Sequence, residues 1–300
     1  MKTRQTKNMT DGNIWTGKGI WLKGNTHTHT TNSDGILKPE EIALEYSRHG
    51  YDFVFLTDHN KRTIPDKEIV KPLLIPAEEI ALSYKGNIYH FVCLGLKKEW
   101  ETSSFKSPMQ LLNRAHREGV FIVQGHPYWC GVPSHSYVFR GKLTCPGMEV
   151  YNTICDLTRG KGYSSVHWDD LLDAGHRILG LAVDDTHSAA HIAGGWIMVK
   201  AEDRSPRAIF TAIRKGNFYS SQGPAIKSII KHNREIRISC SPVARINFMA
   251  NRNRGHCFFA KTGKLKSASW LIPKGYRYVR IELVDASGKM AWSNPIYFPR

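Results

Sequence analysis

The feature that most restricts the fold is an alternation of short apolar runs with punctuated helical segments, sustained for about two hundred residues. Strand-like runs fall at Gly19–Leu22, Asp52–Leu56, Pro72–Ile75, Ile88–Leu96, Val120–Val123, Met148–Tyr151, Ile178–Val183 and Trp196–Val199. Between them, Ser107-Pro108-Met109-Gln110 combines an N-cap, a first-turn proline and a capping-box partner, and Gly119 waits at the far end. Ser205-Pro206 opens a second helix closed by Gly216, a third runs from Pro39 to His49 with Gly50 as its stop, and Trp168–Ala174 before Gly175 is a fourth. Such alternation predicts an α/β domain with a mostly parallel sheet, open or closed into a barrel.

After Gly223-Pro224 the texture changes. Short strand-like runs (Ile236–Cys240, Ala244–Phe248, Ala268–Ile272, Tyr276–Val284, Pro295–Phe298) follow one another with turn signals and no helix-period segment. The expected organisation is an N-terminal extension over 1–18, an α/β domain over 19–223, and a small antiparallel β module over 224–300.

A composition of 41% hydrophobic and 23% charged residues is that of a folded globular protein. No run reaches the roughly 18 apolar residues that cross a bilayer, and the first residues lack an apolar segment, so the chain is expected to start near Met1 and to remain in the cytoplasm without a membrane partner. Six scattered cysteines without a CxxC pair fit reduced thiols and leave any metal argument to the histidines. The net charge of +16 attracts anions. Because that charge is not confined to a tail, a small anionic substrate is favoured over a nucleic-acid partner.

Ionisable residues gather just past the apolar runs. GNTHTHTTNSDG carries His27 and His29 two positions apart, which in a strand points both imidazoles to one face, with Asp34 behind them. Phe53–Leu56 leads to Asp58 and His59, and Leu73–Ile75 to Glu78 and Glu79. His90 lies within its run, Phe121–Val123 leads to His126, Met148 precedes Glu149, and Leu179–Val183 ends in Asp184, Asp185 and His187. Imidazole with carboxylate suits zinc, manganese or iron, and several such ions would polarise a substrate oxygen and acidify a bound water. Unpaired charges recurring at strand ends would be costly without a cation to satisfy them. Asp58 and Glu78 adjoin better candidates and are read, with Glu149 and Asp184, as groups that orient ligands.

In order, HTH (His27–His29), SDG (Ser33–Gly35), TDHN (Thr57–Asn60), EEI (Glu78–Ile80), GHPYW (Gly125–Trp129), EVYN (Glu149–Asn152) and DDTH (Asp184–His187) resemble the PHP (polymerase and histidinol phosphatase) superfamily over roughly residues 19–223. The resemblance implies a distorted seven-stranded β/α barrel, a centre of two or three divalent ions, and phosphoester hydrolysis through a metal-activated hydroxide. By position it implies the ligands His27, His29, Asp34, His59, Glu79, His90, His126, Asp185 and His187. Glu79 takes the bridging place, and Glu79, Asp185 and His187 stand closest to the chemistry. Where some members have a third-position histidine this chain has Asp34. GNFYSSQGP (Gly216–Pro224) and AWSNPI (Ala291–Ile296) are similar to a two-domain branch that includes carbaryl-hydrolase-like enzymes, which keeps a carboxyl ester or carbamate hydrolase open as the alternative. A nuclease is expected less, since no polymerase segment is present.

Loops beyond the strand ends of a barrel wall its site. The segments after Tyr128 and after Asn152 are therefore expected to overhang the metals, bringing Arg140, Lys142, Arg159 and Lys161 with His135, Tyr128, Trp129, Tyr137 and Phe139. Arg140, Arg159 and Trp129 are the substrate-binding candidates, an arginine being suited to bidentate capture of phosphate.

Overall fold

A computed structural model describes residues 12–15, 18–66, 71–139, 144–261 and 264–299. Arg140 and Lys142 lie outside them. In chain order the strands of the first part are β1 (Gly12–Asn13), β2 (Ile20–Asn25), β3 (Phe53–Leu56), β4 (Leu73–Pro76), β5 (Glu78–Tyr84), β6 (Asn87–Leu94), β7 (Phe121–Gln124), β8 (Gly147–Asn152), β9 (Leu179–Val183), β10 (Trp196–Ala201) and β11 (Phe218–Ser221). The helices are α1 (Pro39–Arg48), α2 (Pro108–Glu118), α3 (Pro127–Cys130), α4 (Thr153–Arg159), α5 (Ser165–Asp173) and α6 (Pro206–Arg214). The later strands are β12 (Ile226–His232), β13 (Glu235–Val243), β14 (Arg245–Ala250), β15 (Gly255–Phe259), β16 (Leu265–Leu271), β17 (Tyr278–Val284), β18 (Met290–Ser293) and β19 (Ile296–Tyr297).

The helix punctuation acts as its residues demand. Ser107 accepts a hydrogen bond from the Gln110 N–H and Gly119 ends α2 in the left-handed conformation; Ser205 caps α6 through the Ala208 N–H. Each helix lays an apolar stripe on a sheet, α6 through Ile209, Ala212 and Ile213 and α2 through Leu111, Leu112 and Ala115.

The result is a mixed α/β fold with three sheets. One follows the order β5-β6-β7-β8-β9. A ten-stranded sheet follows β15-β14-β17-β18-β11-β10-β2-β3-β4, with β19 on β17. It is continuous across the residue 223 boundary, because β11 pairs with β18 (Tyr219 opposite Ser293). The third sheet is β1-β12-β13-β16. Among the described residues no helix follows α6.

Pairing is less parallel than the alternation of elements predicts. β2-β3-β4 and β7-β8-β9 are parallel, but β5-β6-β7 and β2-β10-β11 are antiparallel. The reason for the first departure is local. Lys85 and Gly86, both at positive φ (50° and 79°), make a two-residue hairpin turn, so β5 must run back along β6. Glu78 and Glu79 thereby become the first residues of a strand rather than a loop after one.

Between the two sheets of the first part lies a core of Leu22, Phe53, Phe55, Val92, Phe121, Val123, Leu181, Val183 and Ile197. Apolar filling at this level leaves the polar residues at one end, where β2, β3, β7 and β9 deliver their loops and β5 begins.

Candidate metal centre

At that end the nine ligand candidates converge. Four sets have donor atoms close enough to share a cation: His29, Asp34, His59 and His187; His27, His29 and Asp185; His27, Glu79 and His126; and His59, Glu79 and His90. Together they contain every one of the nine.

Each arrives by a local route. β2 runs into Thr26–Thr30, and the two-residue period places His27 and His29 on the same side, ring centroids 5.1 Å apart. The following loop folds back so closely that a Cβ on Gly35 would sit 2.5 Å from the His29 carbonyl oxygen, which is why glycine follows Asp34. His126 and Asp185 are held at positive φ, 25° and 55°, an uncommon backbone for side-chain-bearing residues and one that clusters where function over-determines geometry.

Glu79 is the hub. Its Oε2 lies 3.1 Å from His27 Nε2, 3.2 Å from His29 Nε2 and 3.1 Å from His59 Nδ1, while Oε1 lies 2.8 Å from His90 Nδ1 and 3.4 Å from His126 Nε2. Asp185 Oδ1 stands 3.3 Å from His27 Nε2 and 3.2 Å from His29 Nε2. Asp34, more than half exposed, closes the outer set at 3.3 Å from His187 Nε2 and 3.7 Å from His59 Nε2.

This donor set fits divalent cations. The Nδ1 of His27 meets the Glu149 carboxylate at 2.6 Å, which assigns its proton there and leaves a lone pair on Nε2. The Nε2 of His29 faces that lone pair at 3.1 Å, while its own Nδ1 addresses Ser33 and Asp34. Two lone pairs so close repel unless a positive centre lies between them. Asp185 Oδ1 and His59 Nδ1 are buried and have no hydrogen-bond partner among the described residues. Two bonds of about 2.1 Å meeting at octahedral or tetrahedral angles hold their donor atoms roughly 3.0–3.4 Å apart, the separation seen around Glu79 Oε2 and Asp185 Oδ1.

The charges tell the same story. Burial opposes charge on His27, His29 and His126, but Asp185 and Glu79 outweigh it and hold all three above the usual histidine value, His29 at about 9. Burial likewise opposes charge on Glu79 and Asp185, yet the imidazoles facing them hold both well below the usual carboxylate range. Positive charge is required here, as protons or as metal.

The four orienting candidates stand outside the sets. Glu149 grips His27 and also accepts from the His126 N–H (2.8 Å) and Asn152 Nδ2 (2.9 Å). Asp58 ties down the loop after β2 through the Thr30 N–H, the Thr30 hydroxyl and the Ser33 hydroxyl. Asp184 accepts from Asn25, Tyr46 and the Ala193, Gly194 and Gly195 N–H groups, and burial pushes its pKa up to about 6. Glu78 faces away and accepts from the Trp100 N–H. Two orienting contacts were not foreseen: Asn152 donates to Asp185 Oδ2 at 3.0 Å, and the Cys130 thiol sits 3.5 Å from His126 Nδ1. The asparagine in EVYN was the available signal for the first, and none marked the second.

A cavity of about 300 Å3 opens over the centre. Trp129 and Arg159 both wall it, beside Ile154, Cys155 and Thr158 from α4. The Trp129 ring stands edge-on to His126, centroids 5.0 Å apart. Tyr137 and Phe139 do not join the wall as expected. They turn inward onto Tyr89, 1% and 7% exposed, because burial among core aromatics outweighs a place at the rim. Lys161 instead lies over the Tyr128 ring at 5.5 Å.

No family model and no curated protein matches the sequence. Solved structures do. A two-domain protein containing a predicted PHP-like metal-dependent phosphoesterase, from Bacteroides vulgatus, matches over 99% of this chain and 100% of its own, with 16% identity and a TM-score of 0.55. PsfC from Pseudomonas syringae (14% identity, 61% of this chain and 83% of its own, TM-score 0.43) and the lesion-specific endonuclease EndoQ from Pyrococcus furiosus (13%, 66% and 56%, 0.40) are too distant to inform the site. Taken end to end, this chain shares its fold with that Bacteroides vulgatus protein.

Proposed function

We propose that the chain is a metal-dependent phosphoesterase that hydrolyses a small anionic phosphoester at a centre of two or three divalent ions, zinc, manganese or iron. The observation that carries the reading is Glu79, one buried carboxylate within 3.4 Å of five imidazoles. His27, His29, Asp34, His59, Glu79, His90, His126, Asp185 and His187 would be the ligands, with residues 19–223 the catalytic domain and 224–300 an appended β module. In this reading β2, β3, β4 with β5, β6, β7, β8 and β9 form a distorted seven-stave barrel. Its support is the pair of isolated bridges, Thr28 to Thr186 and His59 to Glu79, that close the gaps between sheets.

When bound, the ions supply Lewis acidity and lower the pKa of a water towards about 7. The chain's own residues do the rest. Glu149 and the Asp185 carbonyl, the latter 2.9 Å from His187 Nδ1, fix which nitrogen of His27 and of His187 is free to ligate. Trp129 and α4 narrow the approach, and Arg159 offers a planar cation to a phosphate at the cavity wall. Release of inorganic phosphate from a phosphoester panel, with the protein reconstituted in turn with manganese, zinc and iron, tests this. No turnover on any phosphoester overturns it. One observation favours a carboxyl ester or carbamate instead: Arg159 is the sole lysine or arginine among the described residues lining the cavity, and beside the ligand candidates and Thr158 the wall is apolar, made by Trp129, Ile154 and Cys155. An arylester panel discriminates the two.

A further inference from the structure

The net charge of +16 is unevenly placed, and the metal centre, with its three carboxylate ligand candidates, does not account for it. Residues 224–300 hold 15 of the 42 lysines and arginines but 3 of the 26 aspartates and glutamates. Where these residues meet the first part of the chain there is a cleft of about 600 Å3. Among the described residues its cations are Arg177, Arg214, Lys215 and Lys231, and no carboxylate lines it. None of the four makes an ion pair among the described residues. Arg177 stacks on Tyr297 at 4.4 Å, Lys231 lies over Phe298 at 5.3 Å, and Arg214 packs on Phe210 at 5.7 Å. Aromatic faces hold these charges in place without neutralising them.

The cleft is remote from the metal centre. Leu179 and Phe121, which begin β9 and β7, line it, whereas Asp185 and His126 follow the other ends of those strands. The five residues of β9 put about 17 Å between the two levels. It also continues sideways. A cavity of about 320 Å3 shares Phe121, Pro146 and Arg214 with it, and one of about 700 Å3 shares Lys215 and Asn217 and adds Lys18, Lys200 and Arg207. Along α6, Arg207 and Arg214 lie seven residues apart on the exposed face, about 10 Å along the axis. Among the described residues the only carboxylates in the whole groove are Glu202 and Asp203.

We propose that this groove binds an extended polyanion, single-stranded nucleic acid, by its phosphate backbone. An ordered row of unpaired cations in a continuous trough matches regularly spaced phosphodiesters better than one compact anion, and a recessed channel suits a strand better than a flat membrane surface. The inference does not rest on the metal chemistry. A strand held there lies beyond reach of the metals, so the groove docks the protein on nucleic acid rather than presenting a scissile bond.

Fluorescence anisotropy with a labelled single-stranded oligothymidylate tests it on the full chain. The triple variant Arg177→Ala/Arg214→Ala/Lys231→Ala is expected to bind at least ~10-fold more weakly, with a shallower dependence on log salt. Lys106→Ala, at the opposite end of α2, is the control and should bind as the parent does. Circular dichroism melting checks that the substitutions, two exposed and one half-buried, leave the fold intact; should the triple variant melt early, Arg177→Gln and Lys231→Gln singly, each with a partial loss, replace it. Undetectable binding by the parent, equal binding by the variants, or binding to anionic phospholipid vesicles but not to the oligonucleotide overturns the proposal.

Discussion

His27 Nδ1 meets Glu149 Oε1 at 2.6 Å with both side chains within 1% of full burial, so the carboxylate decides which face of the imidazole looks into the centre. Glu149 also fixes the backbone at His126 and the amide of Asn152. Glu149→Gln is therefore expected to weaken metal binding about 10- to 100-fold while the protein still folds. A competition titration against a fluorescent chelator measures this, and unchanged affinity would show that Glu149 does not orient His27.

The neighbours Glu78 and Glu79 point to opposite sides of β5, and their fates on substitution should diverge. Glu79 faces five imidazoles, so Glu79→Gln should abolish tight binding of at least one ion and reduce turnover severely. Burial pushes the Glu78 carboxyl up to about 7, against the Trp100 N–H, so the neutral amide in Glu78→Gln resembles a form its surroundings already favour. Metal content by mass spectrometry and activity for both variants check the pair. Equal losses would mean that the assignment within the pair is wrong.

The cluster also makes stability depend on pH in opposite ways with and without metal. A histidine held above 6.5 in the folded chain stabilises the fold fully below pH 6.5, and that contribution is lost as pH rises through its folded value, about 9 for His29. The metal-stripped protein should thus lose melting temperature between pH 6.5 and 9, His27 and His126 adding in the same direction. Metal-loaded protein should hold its melting temperature across that window, because the ion has replaced the protons, and apparent metal affinity should climb over it. Parallel profiles for the two forms would contradict a shared site for protons and metal.

Much of this was legible in the residues. Caps at Ser107 and Ser205 and stops at Gly50 and Gly119 act locally, so their meaning survives without tertiary context. The period of two in HTH does as well. β5 was missed because EEIALSY shows no alternation against polar neighbours; its inward residues are partly the hub of the site itself. α4 was missed although Asn152 caps it and Gly160 ends it in the left-handed conformation, a seven-residue helix being too short for periodicity to register. Arg280, 1% exposed and bidentate on Asp169 at a separation of 111 residues, had no local signal at all. The continuity of the ten-stranded sheet through β11 and β18 is of the same kind.

The last prediction concerns what holds the substrate. Arg159 ends α4, its helix laid across the cavity, with Thr158 and Cys155 beside it on the lining and Trp129 among the other wall residues. Among the described residues its guanidinium donates only to the Thr158 carbonyl, at 3.0 Å, which leaves most of its donors to turn towards a ligand. If the substrate is a phosphoester, Arg159→Ala should lose about tenfold or more in kcat/KM, about 1.4 kcal/mol or more of transition-state stabilisation, with metal content unchanged. Arg159→Lys should recover part of the loss, since it restores charge but not the planar fork. If the substrate is a neutral ester, Trp129→Ala should be the damaging change instead, raising KM by removing an apolar wall rather than a charge. Steady-state kinetics of the three variants on the best phosphoester and the best arylester separate these outcomes. Full activity of Arg159→Ala on the phosphoester, together with loss by Trp129→Ala on the arylester, would replace the phosphate-binding reading with an aromatic-lined ester site over the same metal centre.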